Sequence, residues 1–438
     1  MLTSLKEQLE HVTLSRIVGR IDQTCGNTLA AIDLPVPLGS LVQIDRPQAS
    51  PLKAEVIGFR DCWTLLLPLG STEGIRRYQP VSLLQSTRTF PIGDNLLGRI
   101  LDGNGKTLEG PPLSVMTSRA NLCLKPIDAL TRPPITQPFS TGIRAIDGFL
   151  TCGYGQRLGI HATAGVGKST LLSMFARHAE VDVIVVALIG ERGREVREFL
   201  DHALSTESRK RTVIVVATSD EPAPLRIRAV WGSACVAEHF RNQGKKVLWL
   251  IDSMTRVAHA QREIGLAAGE PPVTRGYPPS VFSLLPRIVE RAGTTERGSI
   301  TAFATILLED EAEEANDPCA EALHGHLDGH IRLTRKLAAA GHYPAIDLAQ
   351  SLSRLMPSLI NDQHRGAVDR LRAAFALCKE NELLRKSGLL RPGQNPEFDR
   401  AWNVCQDTMA FLRQGGNDPS PVHETIDKLE RLATRLSE

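Results

Sequence analysis

No apolar run in this chain of 438 residues reaches the ~18 residues that a membrane-spanning helix requires. No C-x-x-C pair occurs among its eight cysteines, which are scattered from Cys25 to Cys405. A zinc ribbon is therefore not expected, and the cysteines read as buried or free thiols of a reducing compartment. An excess of one charge is missing too. Lys and Arg number 51 against 49 Asp and Glu, a net charge of +2, with the two signs mixed along the chain. Nucleic-acid binders usually present a basic face, so no nucleic acid is expected as a partner. Aromatics are scarce, at 5%. The N-terminal part holds Phe59 and Trp63 beside Arg16, Arg20 and Arg46, and offers no base-stacking platform. The first residues lack the charged-then-apolar pattern of a signal peptide, so the expected location is the cytoplasm.

The apolar fraction, 42%, suits a large core. The length corresponds to two or three domains at about 150 residues each. Ser4–Val12 reads as a short amphipathic helix, with Ser4 and Glu7 spaced as a capping box. From Arg16 to Leu84, β-type runs such as Ala54–Phe59 and Thr64–Leu67 alternate with Gly and Pro turns, which predicts a small barrel. Pro91–Pro112, rich in Gly and Asp, leads into the next domain. There the apolar runs Asp182–Ile189, Thr212–Ala217, Val247–Ile251 and Ser299–Leu308 are separated by helical stretches. Such runs read as strands covered on both faces, in a parallel sheet with crossover helices. From Pro357 the pattern is helical, and Ile426, Leu429, Leu432 and Leu436 fall on one face of the last segment. The expectation is an α/β chain: a small β-barrel over residues 1–88, a nucleotide-binding core over 89–356 and a helical domain over 357–438.

The core carries the most informative segment, Ala162-Thr163-Ala164-Gly165-Val166-Gly167-Lys168-Ser169-Thr170. It reads as a phosphate-binding loop between a strand at Arg157–His161 and a helix at Ser169–His178. Backbone N–H groups would wrap the phosphates, Lys168 would neutralise the β/γ-phosphates, and the Ser169 hydroxyl can ligate Mg²⁺. The first Gly of the usual pattern is replaced by Ala162. Asp252 ends an apolar run downstream, a place suited to Mg²⁺ binding. Gly190-Glu191-Arg192-Gly193-Arg194-Glu195 follows the strand after the loop's helix. Ligands of parallel sheets lie beyond the carboxyl ends of the strands, so Glu191 is placed to polarise an attacking water and Arg192 to contact a γ-phosphate.

These segments together resemble the catalytic subunits of the rotary ATPase superfamily, which have a RecA-like core. The similarity extends to Ile135-Thr136-Gln137-Pro138 with Thr141–Asp147, to Tyr277–Phe282 with Glu290–Gly293, and to Pro344–Ser353. The form Gly190–Phe199 is similar to the type III secretion ATPases of injectisomes and flagella; the ATP synthase β subunit carries Thr where Gly193 stands. Val215–Asp220 also fits the secretion branch, and Glu207–Arg211 leans to the injectisome rather than the flagellum.

The resemblance implies ATP hydrolysis with Mg²⁺, Glu191 as catalytic base, Asp252 linked to the metal, Tyr343 stacking on adenine, and Arg354 as a finger reaching a neighbouring subunit's site. It also implies a homo-oligomer, a hexameric ring, with a central stalk protein, a peripheral stator protein, an export gate at the inner membrane and chaperone–substrate complexes as partners. Three other readings are weaker. An ATP synthase-type subunit is disfavoured by Gly193, a hexameric nucleic-acid translocase by the N-terminal composition, and a non-hydrolysing ring subunit by Glu191. Glu321, Ala322 and His324 depart from the family's acidic and arginine pattern in a segment expected at a subunit interface. His324, His326 and His330 do not read as a metal site, because a helix puts only 326 and 330 on one face.

Overall fold

The computed structural model describes residues 17–25, 28–47, 49–114, 116–122, 126–310, 317–387, 389–391 and 393–437. The expected helix at Ser4–Val12 lies outside them. The chain opens with β1 (Val18–Cys25), β2 (Thr28–Ile32), β3 (Leu41–Ile44), β4 (Leu52–Arg60), β5 (Trp63–Pro68) and β6 (Pro80–Gln85). They form a closed antiparallel barrel in the order β1-β2-β5-β4-β3-β6. Closure removes free edges, and a barrel this small is filled by side chains. Ile21, Leu29, Ala31, Val42, Ile44, Val56, Leu66 and Val81 fill it. At the joint with the core, Glu55 of β4 pairs with Arg88 of the connecting segment.

The core sheet contains β7 (Ile100–Asp102), β8 (Arg157–Ala162), β9 (Val183–Ile189), β10 (Thr212–Ala217), β11 (Lys246–Asp252), β12 (Ser299–Leu307), β13 (Gly329–Arg332) and β14 (Leu352–Ser353). Their order is β14-β13-β8-β12-β11-β9-β10-β7. From β13 to β7 neighbours are parallel; β14 is antiparallel to β13. Side chains alternate between faces along a strand. Val185, Ala187, Trp249 and Ile251 therefore join one core, and Ile184, Val186, Leu248 and Leu250 the other. That is why these strands read as unbroken apolar runs. The edge strand β7 was not expected: three residues carry no period.

Helices cover both faces: α1 (Arg144–Phe149), α2 (Lys168–His178), α3 (Gly193–His202), α4 (Ala223–Asn242), α5 (Met254–Ala268) and α6 (Pro279–Val289). The chain ends in α7 (Asp362–Glu380), α8 (Pro396–Leu412) and α9 (Val422–Thr434). In α9, Leu429 and Leu432 are buried in the core that holds Ile146 and Phe149 of α1, while Ile426, and Leu436 just past the helix end, are half-buried. The apolar face of α9 is thus covered by its own chain, and Lys428 and Arg431 remain exposed. Among the described residues, no helix is long and apolar enough to cross a membrane.

Asp147 fixes the turn that leads into α1. Its carboxylate accepts from the Thr141 N–H at 2.9 Å, the Thr141 hydroxyl at 2.7 Å and the Gly142 N–H at 2.9 Å. Burial raises its pKa from 3.8 to about 6, against these hydrogen bonds. The folded state therefore holds a proton that the unfolded chain has lost between the two values. Stability contributed by this group falls as pH rises through that window and is level above it. In Asp147→Asn this component should vanish. The change in melting temperature from pH 4.5 to pH 7 should therefore be more positive in the variant than in the parent, and an unchanged difference would contradict the assignment.

Candidate active site

The phosphate-loop sequence forms the turn from β8 to α2. Gly165 and Gly167 take φ of 81° and 93°, a region that side chains with a β-carbon disfavour. Ala162 is different. It is the last residue of β8, is fully buried, and accepts at its carbonyl from Leu308 N–H at 3.0 Å. Its backbone is extended, so glycine is not required there. Gly167 caps α2, whose first N–H groups open toward the loop.

Neighbouring strands bring two carboxylates to the loop's lysine. β9 and β11 are adjacent, with Leu188 opposite Asp252, so Asp252 and the segment after β9 emerge side by side. The Glu191 backbone is held by Ser219, whose N–H donates to its carbonyl at 3.1 Å. Lys168 Nζ then lies 2.5 Å from Asp252 Oδ1 and 3.2 Å from Glu191 Oε1. All three side chains are largely buried. Burial works against the Lys168 charge, but Asp252 and Glu191 outweigh it and the ammonium pKa rises. Burial also raises Asp252, with Lys168 acting the other way. Glu191 is raised by burial and then by a hydrogen bond with Glu195, against Lys168. A cation flanked by two acids can exchange these partners for phosphate oxygens.

Two residues beyond the sequence reading take part. The Thr305 hydroxyl of β12 donates to Asp252 Oδ1 at 2.7 Å, and Glu195 sits beside Glu191. Thr305 is a polar residue inside an apolar strand next to the loop's strand; that contrast was the available signal. Oxygen donors from Ser169, at the start of α2, and Asp252 suit a hard divalent cation. The Thr163 hydroxyl is buried in the loop and has no hydrogen-bond partner among the described residues, as a group awaiting a ligand would be.

Tyr343 is brought to the loop as well. A β-carbon on Gly167 would lie 3.3 Å from its Cε1, and the ring is 41% exposed. Gln414, after α8, donates its N–H to the Tyr343 carbonyl at 2.8 Å. Arg192 is not brought in: it is exposed at the N-terminus of α3, 3.7 Å from Glu195. Nor does Arg354 approach its own loop. Its N–H donates to the Asp328 carbonyl at 2.9 Å, beside the first residue of β8. The six residues of β8 separate it from the loop by about 16 Å. The helix carrying His324 ends at that residue and His330 lies on β13, so 326 and 330 do not share a helix face as their spacing implied.

A strand–loop–helix phosphate cradle at the carboxyl end of a parallel sheet defines a P-loop nucleotide hydrolase of the RecA class. Residues 142–353 match the ATP synthase alpha/beta family nucleotide-binding domain, and residues 360–431 match the C-terminal domain of the type III secretion ATPase EscN. The chain belongs to the type 3 secretion system ATPases of the ATP synthase alpha/beta family. It is 44% identical to the type 3 secretion system ATPase of Pseudomonas savastanoi pv. phaseolicola, over 98% of this chain and 97% of that one. It is 40% identical to the flagellum-specific ATP synthase of Bacillus subtilis, over 96% and 94%. The assembled ATPase EscN of enteropathogenic Escherichia coli has the same fold, with a TM-score of 0.88 and 42% identity over 95% of this chain and 100% of that one. EscN bound to its central stalk EscO gives a TM-score of 0.87 with the same identity and coverage.

The cradle depends on Gly167. Gly167→Ala places a methyl at a positive φ, which costs about 1–2 kcal/mol, and pushes on Tyr343. Nucleotide affinity should fall about tenfold with little change in secondary structure. Titration with a fluorescent ATP analogue reads this, and parent affinity would show that the loop tolerates the methyl.

Proposed function

We propose that this chain is the ATP-driven motor of a type III secretion system, releasing and unfolding chaperone-bound substrates for export. The observation that carries it is Lys168 set between Glu191 and Asp252 at the end of the sheet. In this reading the loop 162–170 wraps the triphosphate, Lys168 leaves its carboxylates for the β/γ-oxygens, and Tyr343 stacks on the adenine. Ser169 and Asp252 would hold Mg²⁺, which would supply charge neutralisation at the phosphates. Glu191 orients and polarises a water for in-line attack on the γ-phosphate. Its raised pKa favours proton acceptance. Arg192 reaches the γ-phosphate only by turning from Glu195, and is the weaker candidate.

Arg354 lies at the wrong end of β8 to serve its own loop, which supports a finger supplied to a neighbouring subunit. A guanidinium stays charged and can grip a phosphate through two parallel hydrogen bonds. The active form is then a ring, a hexamer in this reading. The EscN–EscO complex supports a central stalk protein as a partner in the ring channel. The peripheral stator protein and the export gate would hold the ring at the cytoplasmic face of the inner membrane. The exposed polar side of α9, with Lys428 and Arg431, is the surface offered to chaperone–substrate complexes.

Glu191→Gln keeps the shape and removes the carboxylate. Steady-state hydrolysis should drop by about two orders of magnitude while ATP binding, followed by calorimetry, persists. Parent turnover in this variant would overturn the base assignment. Arg354→Ala should form rings and hydrolyse ATP poorly. Mixing it with Lys168→Ala chains should restore part of the turnover, because some interfaces then pair an intact loop with an intact finger. Mixed rings without recovery would argue against a finger in trans.

A further inference from the structure

A second polar cluster lies at the opposite end of β8 from the phosphate loop, and it holds the backbone that carries Arg354. The Asp328 carboxylate accepts from the Arg157 N–H at 3.0 Å and from its Nε and Nη2 at 3.2 and 3.3 Å. The Asp328 carbonyl accepts from the Arg354 N–H at 2.9 Å and from Gln156 Nε2 at 3.2 Å. Gln156 is fully buried, and the same Nε2 donates to Ser353 Oγ at 3.0 Å. Ser353, itself buried, donates to the Thr151 carbonyl at 2.8 Å. Arg157 is anchored a second time by Glu290 at 2.6 Å. The Ser353 side chain and the Arg354 N–H are therefore both tied to residues at the root of β8. The Arg354 side chain is held far more loosely: it is exposed, and its Nη2 reaches the His324 carbonyl at 3.3 Å.

A clamped backbone with an exposed, loosely held guanidinium is what a finger acting on another molecule requires. Its target lies outside its own chain, so the target cannot position it until the ring closes. Only the chain's rigid core can aim it beforehand, and preorganisation of this kind limits what is lost on engagement. We propose that Asp328 is the positioning residue for Arg354: Arg157 anchors its carboxylate, its carbonyl holds the Arg354 N–H, and Gln156 and Ser353 assist. This rests on Arg354 acting at the neighbour's phosphate. It adds that aim is set at the root of the strand whose other end forms the chain's own phosphate loop. Asp328 sits at the end of β8 away from its own phosphate loop, so its effect should fall on the neighbour's turnover and not on its own loop.

The test uses the full chain, with ring formation checked by analytical ultracentrifugation. Asp328→Ala should lower kcat about tenfold or more with KM for ATP within about twofold of the parent. Asp328→Asn keeps an acceptor for the Arg157 N–H and should recover part of the loss. Asp328→Ala chains mixed with Lys168→Ala chains should regain turnover as the Arg354→Ala mixture does. The double variant Asp328→Ala/Arg354→Ala should be no slower than Arg354→Ala. Ser353→Ala, a smaller change, should lower kcat severalfold and obey the same mixing rule, so it decides the matter if Asp328→Ala does not fold. A rise in KM at constant kcat, a loss that adds to that of Arg354→Ala, or no recovery in confirmed mixed rings would overturn the proposal. If Arg354→Ala keeps parent kcat, the finger reading fails and this inference with it. If only the Asp328 and Ser353 variants keep parent kcat, this inference alone fails.

Discussion

The constraint on which the rest depends is a buried ammonium that needs counter-charge. Lys168 sits at a helix N-terminus, where backbone N–H groups already repel a cation. Removing one partner of a buried ion pair costs about 3–5 kcal/mol, so without phosphate the lysine must find anions in its own chain. Asp252 and Glu191 supply them, at 2.5 and 3.2 Å. Both come from the ends of adjacent strands, and their convergence depends on the parallel register of β9 and β11. A slip of one residue would turn Asp252 to the other face. The two apolar cores that lock this register thus also hold the chemistry in place.

Much of this was legible in the sequence because local signals and tertiary demands agree. The strands read as apolar runs since both faces are buried, and the loop reads as Gly-rich since two of its residues take positive φ. The acids were legible because strand ends in parallel sheets face the ligand. Other features depend on contacts between distant segments. Nothing near Tyr343 in sequence says that its ring lies over Gly167, or that Gln414 holds its carbonyl. Thr305 stands out in sequence only as a polar residue in an apolar strand; that it meets Asp252 follows only once β12 is known to adjoin β8 and β11. The histidine spacing misled, because a helical period was extended past the point where the helix ends, at His324.

The departures from the family's usual pattern also have physical accounts. Ala162 is harmless because the position belongs to the strand, not the turn: its carbonyl is bonded and its backbone is extended. A methyl there packs in the core that holds Ile160 and Leu172. The change around His324 is of another kind. Its carbonyl at the helix end receives the Arg354 guanidinium, and its ring lies 5.6 Å from that of His330. The side chain at 324 can therefore vary while the backbone contact to Arg354 persists.

One strand links the two polar clusters. β8 begins at Arg157, held by Asp328 and Glu290, and ends at the loop that carries Lys168. A parallel strand buried on both faces is stiff, because its ladder bonds and its packing would have to yield together. If Arg354 serves a neighbour, each chain presents a site at one end of this strand and a finger at the other. A chain built this way cannot complete its own site, whatever its loop binds. Repeating the same contact from one subunit to the next is a heterologous interface, which either closes into a ring or grows without end. Closure is then a requirement of the chemistry as well as of the architecture, since an open end would leave one loop without a finger.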